Sequence, residues 1–253
     1  MEDGKMKRPV IGVTSGTAAL RIHTLYPHPE HYCRAVHDHG GLPLTVPAFV
    51  NVEEALRYLE YVDGMIFIGG PDIPARFYNE KPIEGDFAVL RDDVAEAHLA
   101  LVKAVLKSRL PFLGVCLGCQ ELCVGSGGKL IQHLDDLTPR HRNDYVNTVK
   151  ETRPDAYHFA DVEKDSLLYR LFGSTRLRVN SCHHQALDPA FAMAGARIIA
   201  RSTEDKVVEA IEFQDREFGL GVQWHPERID DADHKSRIFN ALIGAAAKFQ
   251  ASK

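Results

Sequence analysis

The sequence predicts an α/β fold: a mostly parallel central sheet with helices on both faces, extended by an antiparallel segment in the C-terminal half. Three observations predict it. In the first half, short apolar runs alternate with stretches of helical period, the pattern of parallel strands joined by crossing helices. In the second half, three apolar runs follow one another with only turns between them, as in a meander. Between the halves lies Pro111 to Gly128, PFLGVCLGCQELCVGSGG, where a buried strand runs into a helix through a cysteine flanked by glycines.

Val10 to Thr14 reads as the first strand, followed by a polar loop through Pro29. Glu30 to His39 is helical and closed by Gly40-Gly41, a C-cap signal. Leu42 to Val46 is a short strand ended by Pro47, and Glu53 to Tyr61 is a helix. Gly64 to Ile68 is an apolar strand that runs straight into Gly69-Gly70-Pro71-Asp72. The spacing of Val89, Leu90, Val94, Ala97, Leu101 and Val105 predicts a long helix over Asp86 to Lys107. Phe112 to Val115 is a strand, and Leu117 to Ser126 a helix stopped by Gly127 and Gly128. Lys129 to Thr152 is polar and irregular, with Arg140 to Asp144 in an unbroken polar run, and reads as a surface excursion bordering the site. Ala156 to Val162 and Leu177 to Asn180 are strands either side of a short helix over Ser166 to Phe172. Ala196 to Ser202, Val207 to Phe213 and Gly219 to Gln223 form the meander. Asp231 to Phe249 is the last amphipathic helix. No repeat, low-complexity stretch or linker interrupts the chain, which reads as one domain over residues 1–253.

The chain has 253 residues, 45% hydrophobic and 26% charged, with a net charge of -5. That composition supports a sizeable core and carries no basic footprint for nucleic acid. No apolar run approaches the roughly 20 residues of a membrane span. The N-terminal MEDGKMKRPV lacks the apolar stretch of a signal peptide. Five cysteines, an odd number in a chain too large to need staples, read as reduced thiols of a cytoplasmic protein. With thirteen histidines in the chain, no single one carries much weight alone.

The chemistry points to Cys116. Gly114-Val115-Cys116-Leu117-Gly118 is the cysteine counterpart of G-x-S-x-G, in which a nucleophile sits on a sharp strand-to-helix turn. Glycines flank it because strand and helix backbones pass close together there. At a helix N-terminus the macrodipole favours an anion. A buried structural cysteine is the plainer reading of any lone cysteine. A cysteine nucleophile needs a base, an orienter for the base and donors for an oxyanion. His225, in Gly221-Val222-Gln223-Trp224-His225-Pro226-Glu227, ends an apolar strand, and Glu227 stands close enough to fix its tautomer. A solvated strand-end turn is the alternative. The oxyanion donors would be the backbone N–H of Leu117 and one from Gly69 or Gly70. Asn180-Ser181-Cys182-His183-His184-Gln185 reads as a substrate-lining loop, or as a polar turn. Cys116, Cys119 and Cys123 with His183, His184 and His225 could be read as a metal set. Steps of three and four are simply helical spacing, so no metal is expected. No H-E-x-x-H and no phosphate loop opening a helix is present, so no cofactor is expected either.

These motifs, in this order, resemble the class I glutamine amidotransferase superfamily and, more closely, its gamma-glutamyl-gamma-aminobutyrate hydrolases. The resemblance rests on Tyr32 to Pro47, on Gly69-Gly70-Pro71-Asp72-Ile73-Pro74 with Tyr78, on Arg91-Asp92 with Glu96 and Leu99, and on GVCLGCQEL, VNSCHHQAL and GVQWHPE. It implies a flavodoxin-like three-layer fold and a triad of Cys116, His225 and Glu227. It implies oxyanion donation by Leu117 and the Gly69-Gly70 turn. Gln120 matches a position that contacts the alpha-amino-acid end of glutamine-like substrates, and His183 and Gln185 match substrate-loop positions. The implied reaction is hydrolysis of a gamma-glutamyl amide through a thioester on Cys116, on a small-molecule substrate, without nucleic acid or membrane, in a possible homodimer. One departure stands out. Hydrolases of this kind usually carry Arg directly after the nucleophile, where this chain has Leu117. Cys-Leu-Gly is commoner in glutaminase subunits that supply ammonia to a partner synthase, and that is the alternative activity. A non-catalytic binding protein is the third reading.

Overall fold

In the computed structural model, residues 7–16, 18–20, 23–25, 29–47, 52–85, 87–134, 141 and 155–253 are described. In chain order the elements are β1 (Val10–Thr14), β2 (Ala18–Leu20), β3 (His23–Leu25), α1 (Glu30–Asp38), β4 (Leu42–Val46), α2 (Val52–Arg57), β5 (Gly64–Phe67), α3 (Asp92–Lys107), β6 (Phe112–Val115) and α4 (Leu117–Gly125). The second half continues with β7 (Leu130–Ile131), β8 (Ala156–Val162), α5 (Leu167–Phe172), β9 (Arg176–Ser181), β10 (Ala186–Leu187), β11 (Ala196–Ser202), β12 (Val208–Phe213), β13 (Gly219–Val222) and α6 (Ala232–Ala251).

Nine strands form one sheet in the order β4-β1-β5-β6-β13-β12-β11-β8-β9. The five strands from β4 to β13 pair in parallel, and the remaining four continue the same sheet antiparallel. The chain enters the middle of the sheet twice. β6 ends at Cys116, and β13, its parallel neighbour in register Val222 with Val115, ends just before His225.

Alternation along the strands builds two apolar layers. Ile66, Leu113 and Val115 face a core closed by Val36 of α1, Leu168 of α5 and Ile238, Phe239 and Leu242 of α6. Met65, Phe67 and Phe112 face the opposite core, closed by Ala55 of α2, Val94, Leu101 and Val105 of α3 and Leu122 of α4. Strands buried on both faces read as continuous apolar runs, which is why GMIF and FLGV lack polar alternation. The three-layer α/β arrangement therefore matches the expectation from sequence.

Two local expectations are corrected. The helix expected from Asp86 starts instead at Asp92. Asp72 N–H donates to Ala88 O (2.9 Å) and Leu90 N–H to Asp72 O (2.9 Å), so residues 88–90 form an extended strap. This tertiary pairing overrides the local helical period, and Asp92 and Asp93 then begin the helix where acidic groups suit its dipole. The loop expected through Pro29 contains the short antiparallel pair of β2 and β3. Strands of three residues are too short to leave a periodic signal. Of the Arg140 to Asp144 run, only His141 is among the described residues.

Candidate active site

Cys116 sits between β6 and α4 with φ 52° and ψ -105°, outside the ordinary region for a residue with a side chain. Its N–H is held by Val222 O (2.8 Å), and the next turn is held by Gly118 N–H to Ile68 O (3.1 Å). Gly118 has no alternative: a Cβ there would lie 2.1 Å from Phe67 O. The sharp turn is thus fixed by backbone bonds from the strands on either side. Strain held this way clusters at functional sites.

His225 arrives from β13. Its Nδ1 lies 2.8 Å from Glu227 Oε1, and both side chains are buried. The Nδ1–H is therefore given to the carboxylate, which leaves Nε2 as the ring nitrogen available to a reacting group. Burial alone would push the imidazole down, but the charge of Glu227 and that of Cys116 outweigh it and bring His225 up to about 10. Burial would raise Glu227, and the His225 charge more than offsets this, holding the carboxyl below its usual range. A Cβ at Gly69 would lie 2.8 Å from His225 Cε1 and 3.5 Å from Cys116 Cβ. The turn after β5, the elbow and the imidazole therefore pack directly against one another.

Two residues to which the sequence gives no individual role position this group. Asn180 Oδ1 accepts the His225 N–H (3.1 Å), while its Nδ2 donates to His225 O (3.1 Å) and to Asp155 Oδ2 (2.8 Å). Asn180 is fully buried, so it clamps the backbone of His225 on both sides. Tyr32 of α1 accepts the Gly69 N–H on its hydroxyl (3.0 Å). Burial, with Glu227 nearby, raises that phenol well above its usual value, so it stays neutral. Of the expected oxyanion donors, Gly69 is thus engaged, while the Gly70 and Leu117 N–H groups meet no protein acceptor among the described residues. Leu117, at the start of α4, has no intrahelical partner.

Comparison with known proteins gives the family. A family model described as Peptidase C26 covers residues 9–227. The chain belongs to the Peptidase C26 family. Within it, the chain is 33% identical to gamma-glutamyl-gamma-aminobutyrate hydrolase PuuD of Escherichia coli (strain K12), over 98% of this chain and 97% of PuuD. It is 34% identical to protein NtpR of Enterococcus hirae, over 87% and 91% of the two chains. The glutaminase domain of Trypanosoma brucei CTPS, solved with bound acivicin, shares the fold at a TM-score of 0.64 and 17% identity, covering 95% of this chain and 94% of that one.

In this Peptidase C26 chain the positions expected from sequence to line the substrate are all buried near the elbow. Gln120 of α4 is buried, and its Nε2 donates to Gln185 O (3.3 Å) and Gln223 Oε1 (3.3 Å). His183 and Gln185 follow β9 and are buried too. His184 Nε2 lies 3.1 Å from Asp72 Oδ1, and its ring stacks on Phe87 at 4.8 Å, tying the loop to the turn and its strap. Cys119 and Cys123 lie in the core. Burial raises both thiols, Cys123 to about 12. No disulfide joins any of the five cysteines. Among the described residues, no helix is long and apolar enough to cross a membrane.

Proposed function

We propose that this Peptidase C26 protein is a cysteine-dependent hydrolase of gamma-glutamyl amide bonds, acting through a gamma-glutamyl thioester on Cys116. The observation that carries this reading is the packing of Cys116, His225 and Glu227 at the ends of β6 and β13. A nucleophile is held in a strained elbow against an imidazole whose other nitrogen is already committed to a carboxylate. The relation to PuuD, whose name gives gamma-glutamyl-gamma-aminobutyrate as its substrate, supports the bond type.

In this mechanism the Cys116 sulfur attacks the gamma-carbonyl carbon. The oxyanion forms against the N–H groups of Gly70 and Leu117, with Gly69 available only if it leaves the Tyr32 hydroxyl. Collapse expels the amine, which takes its proton from His225. A water then gives its proton to the neutral His225 and attacks the thioester, releasing glutamate and returning the sulfur. Gln120 and the His183 to Gln185 loop would hold the alpha-amino-acid end. A cavity of about 340 Å3 beside the turn, lined by Asp72, Arg76, Tyr78, Phe87, Gln132 and Gln185, would receive the amine side. No cofactor takes part, and the partner is a small molecule.

A second reading, a glutaminase delivering ammonia to a partner synthase, is favoured by Leu117, buried where the hydrolases carry Arg. Product release from a panel of gamma-glutamyl amides and free glutamine, for wild type and Cys116→Ala, separates the two. Glutamate released from gamma-glutamyl amines, and lost in Cys116→Ala, is the expected result. Turnover of glutamine alone would favour the glutaminase. No turnover of any substrate would remove both.

A further inference from the structure

We propose that His141, His183 and Glu209, with His158 as a fourth ligand, form a closed binding site for one divalent transition-metal ion, zinc by donor type. The site lies behind the substrate loop and is separate from Cys116. The inference goes beyond the hydrolase reading and does not depend on it.

Three donor atoms from distant parts of the chain converge. His141 Nδ1 lies 3.2 Å from His183 Nε2 and 3.3 Å from Glu209 Oε1, and His183 Nε2 lies 3.8 Å from the same oxygen. His158 Nε2 approaches that oxygen at 2.9 Å. All four side chains are at most 3% exposed. Ligands at about 2.0–2.1 Å from a tetrahedral zinc stand about 3.3 Å apart, close to the spacing of this triangle.

The outward-facing ring nitrogens fix which atoms point inward. His183 Nδ1 is 2.9 Å from Gln185 O, a carbonyl that can only accept, so the proton is on Nδ1 and Nε2 presents a bare lone pair. His141 Nε2 is 2.9 Å from Asp205 Oδ2, so its proton is directed to that carboxylate. A carboxylate or backbone carbonyl behind the imidazole, as His141 and His183 both have, is the usual outer support of a metal-bound histidine. Nδ1 of His141, Nε2 of His183 and the Glu209 oxygen are then electron-pair donors turned toward one point. A single shared proton bridges one edge of that triangle, whereas a cation meets all three. Glu209 Oε2 is moreover buried without a hydrogen-bond partner, so the hydrogen bonds of the cluster leave the carboxylate unsatisfied.

A metal here would tie the loop after β9, and His141 with it, to β8 and β12. Glu209 O also accepts the N–H of Gln223, two residues before His225. With imidazole nitrogens and one carboxylate oxygen and no sulfur, the donor set suits zinc and excludes a calcium-type oxygen cage.

The test uses the full chain. Purified protein is assayed for bound metal by mass spectrometry, then stripped with a chelator and titrated with Co²⁺, whose visible absorption reports tetrahedral coordination. The expected results are about one zinc per chain and a cobalt band that survives in Cys116→Ala and disappears in His183→Ala and Glu209→Gln. Asp205→Asn, at a position only partly buried, tests the site if the buried variants do not fold. It is expected to weaken metal binding about 10- to 100-fold. Folded wild-type protein with no cobalt band at millimolar Co²⁺ would overturn the proposal and leave a proton-sharing network. So would a band that vanishes in Cys116→Ala, or a cobalt affinity unchanged in Asp205→Asn.

Discussion

His225 is governed by two neighbours, each with a separate consequence. Glu227 raises its affinity for a proton against the opposing effect of burial, so the imidazole stays charged until the pH climbs through about 10. The alkaline limb of kcat/KM is expected there, because His225 must hold the proton it gives to the leaving amine. Glu227→Gln removes the main charge that raises His225. The rate is expected to fall roughly 10²- to 10⁴-fold and the limb to move to lower pH, read from a pH–rate profile. An unmoved limb would show that another group sets it. Asn180 acts on the backbone: Asn180→Ala leaves the buried His225 N–H unpaired, at a cost of about 1–3 kcal/mol in chemical denaturation. Its kcat is expected to fall more than KM changes. The elbow and the His-Pro-Glu end were legible in the sequence because each is a short contiguous signal. The positioning roles of Asn180 and Tyr32 were not legible, since they rest on contacts 45 and 37 residues away along the chain.

Among the elements, the elbow between β6 and α4 is the least tolerant. Gly118→Ala would place a Cβ 2.1 Å from Phe67 O, so either α4 or β5 must move. We expect a marked loss of thermal stability together with slower alkylation of Cys116, measured by scanning calorimetry and a thiol-reactive reagent. Wild-type stability with wild-type reactivity would contradict the packing described. The strap at residues 88–90 shows where reading by element stopped. Val89 and Leu90 fit the period of α3, but pairing with Asp72 draws them into extended backbone. Strands such as β1, β4, β8 and β11 were bounded correctly because each is a run of apolar or alternating residues ended by a turn or proline.

For the whole molecule, buried titratable groups set how stability depends on pH. His234 accepts a hydrogen bond from Trp224 Nε1 (3.1 Å), and burial lowers it to about 4. The unfolded chain takes up that proton near pH 6.5 and the folded chain only near 4, so stability falls as pH drops through this window, by on the order of 3 kcal/mol. Glu227 acts in the same direction, since a carboxyl held below its usual range loses its contribution as pH falls. His98, bonded to Glu121 at 2.8 Å between α3 and α4, has the opposite sign. Burial lowers it, the Glu121 charge raises it further, and the net is up, so its contribution is full below its unfolded value and lost as pH rises. His98→Leu leaves Glu121 as a buried unpaired charge, with an expected loss of about 3–5 kcal/mol in urea unfolding at neutral pH. A change under 1 kcal/mol would mean that Glu121 is protonated or hydrated in the fold. The overall architecture was legible because alternating apolar and amphipathic runs specify layers. The histidine cluster around Glu209 was not, because its members come from four separate segments with no shared period.

The proposed reaction turns on a covalent gamma-glutamyl bond to Cys116. Wild-type protein mixed with a gamma-glutamyl amide, quenched in acid and analysed by peptide mass spectrometry, is expected to carry one glutamyl acyl group on the Cys116 peptide. Glu227→Gln should accumulate at least as much if deacylation is slowed, and Cys116→Ala should carry none. Hydrolysis that proceeds in Cys116→Ala, or an acyl group found on another residue, would contradict the account.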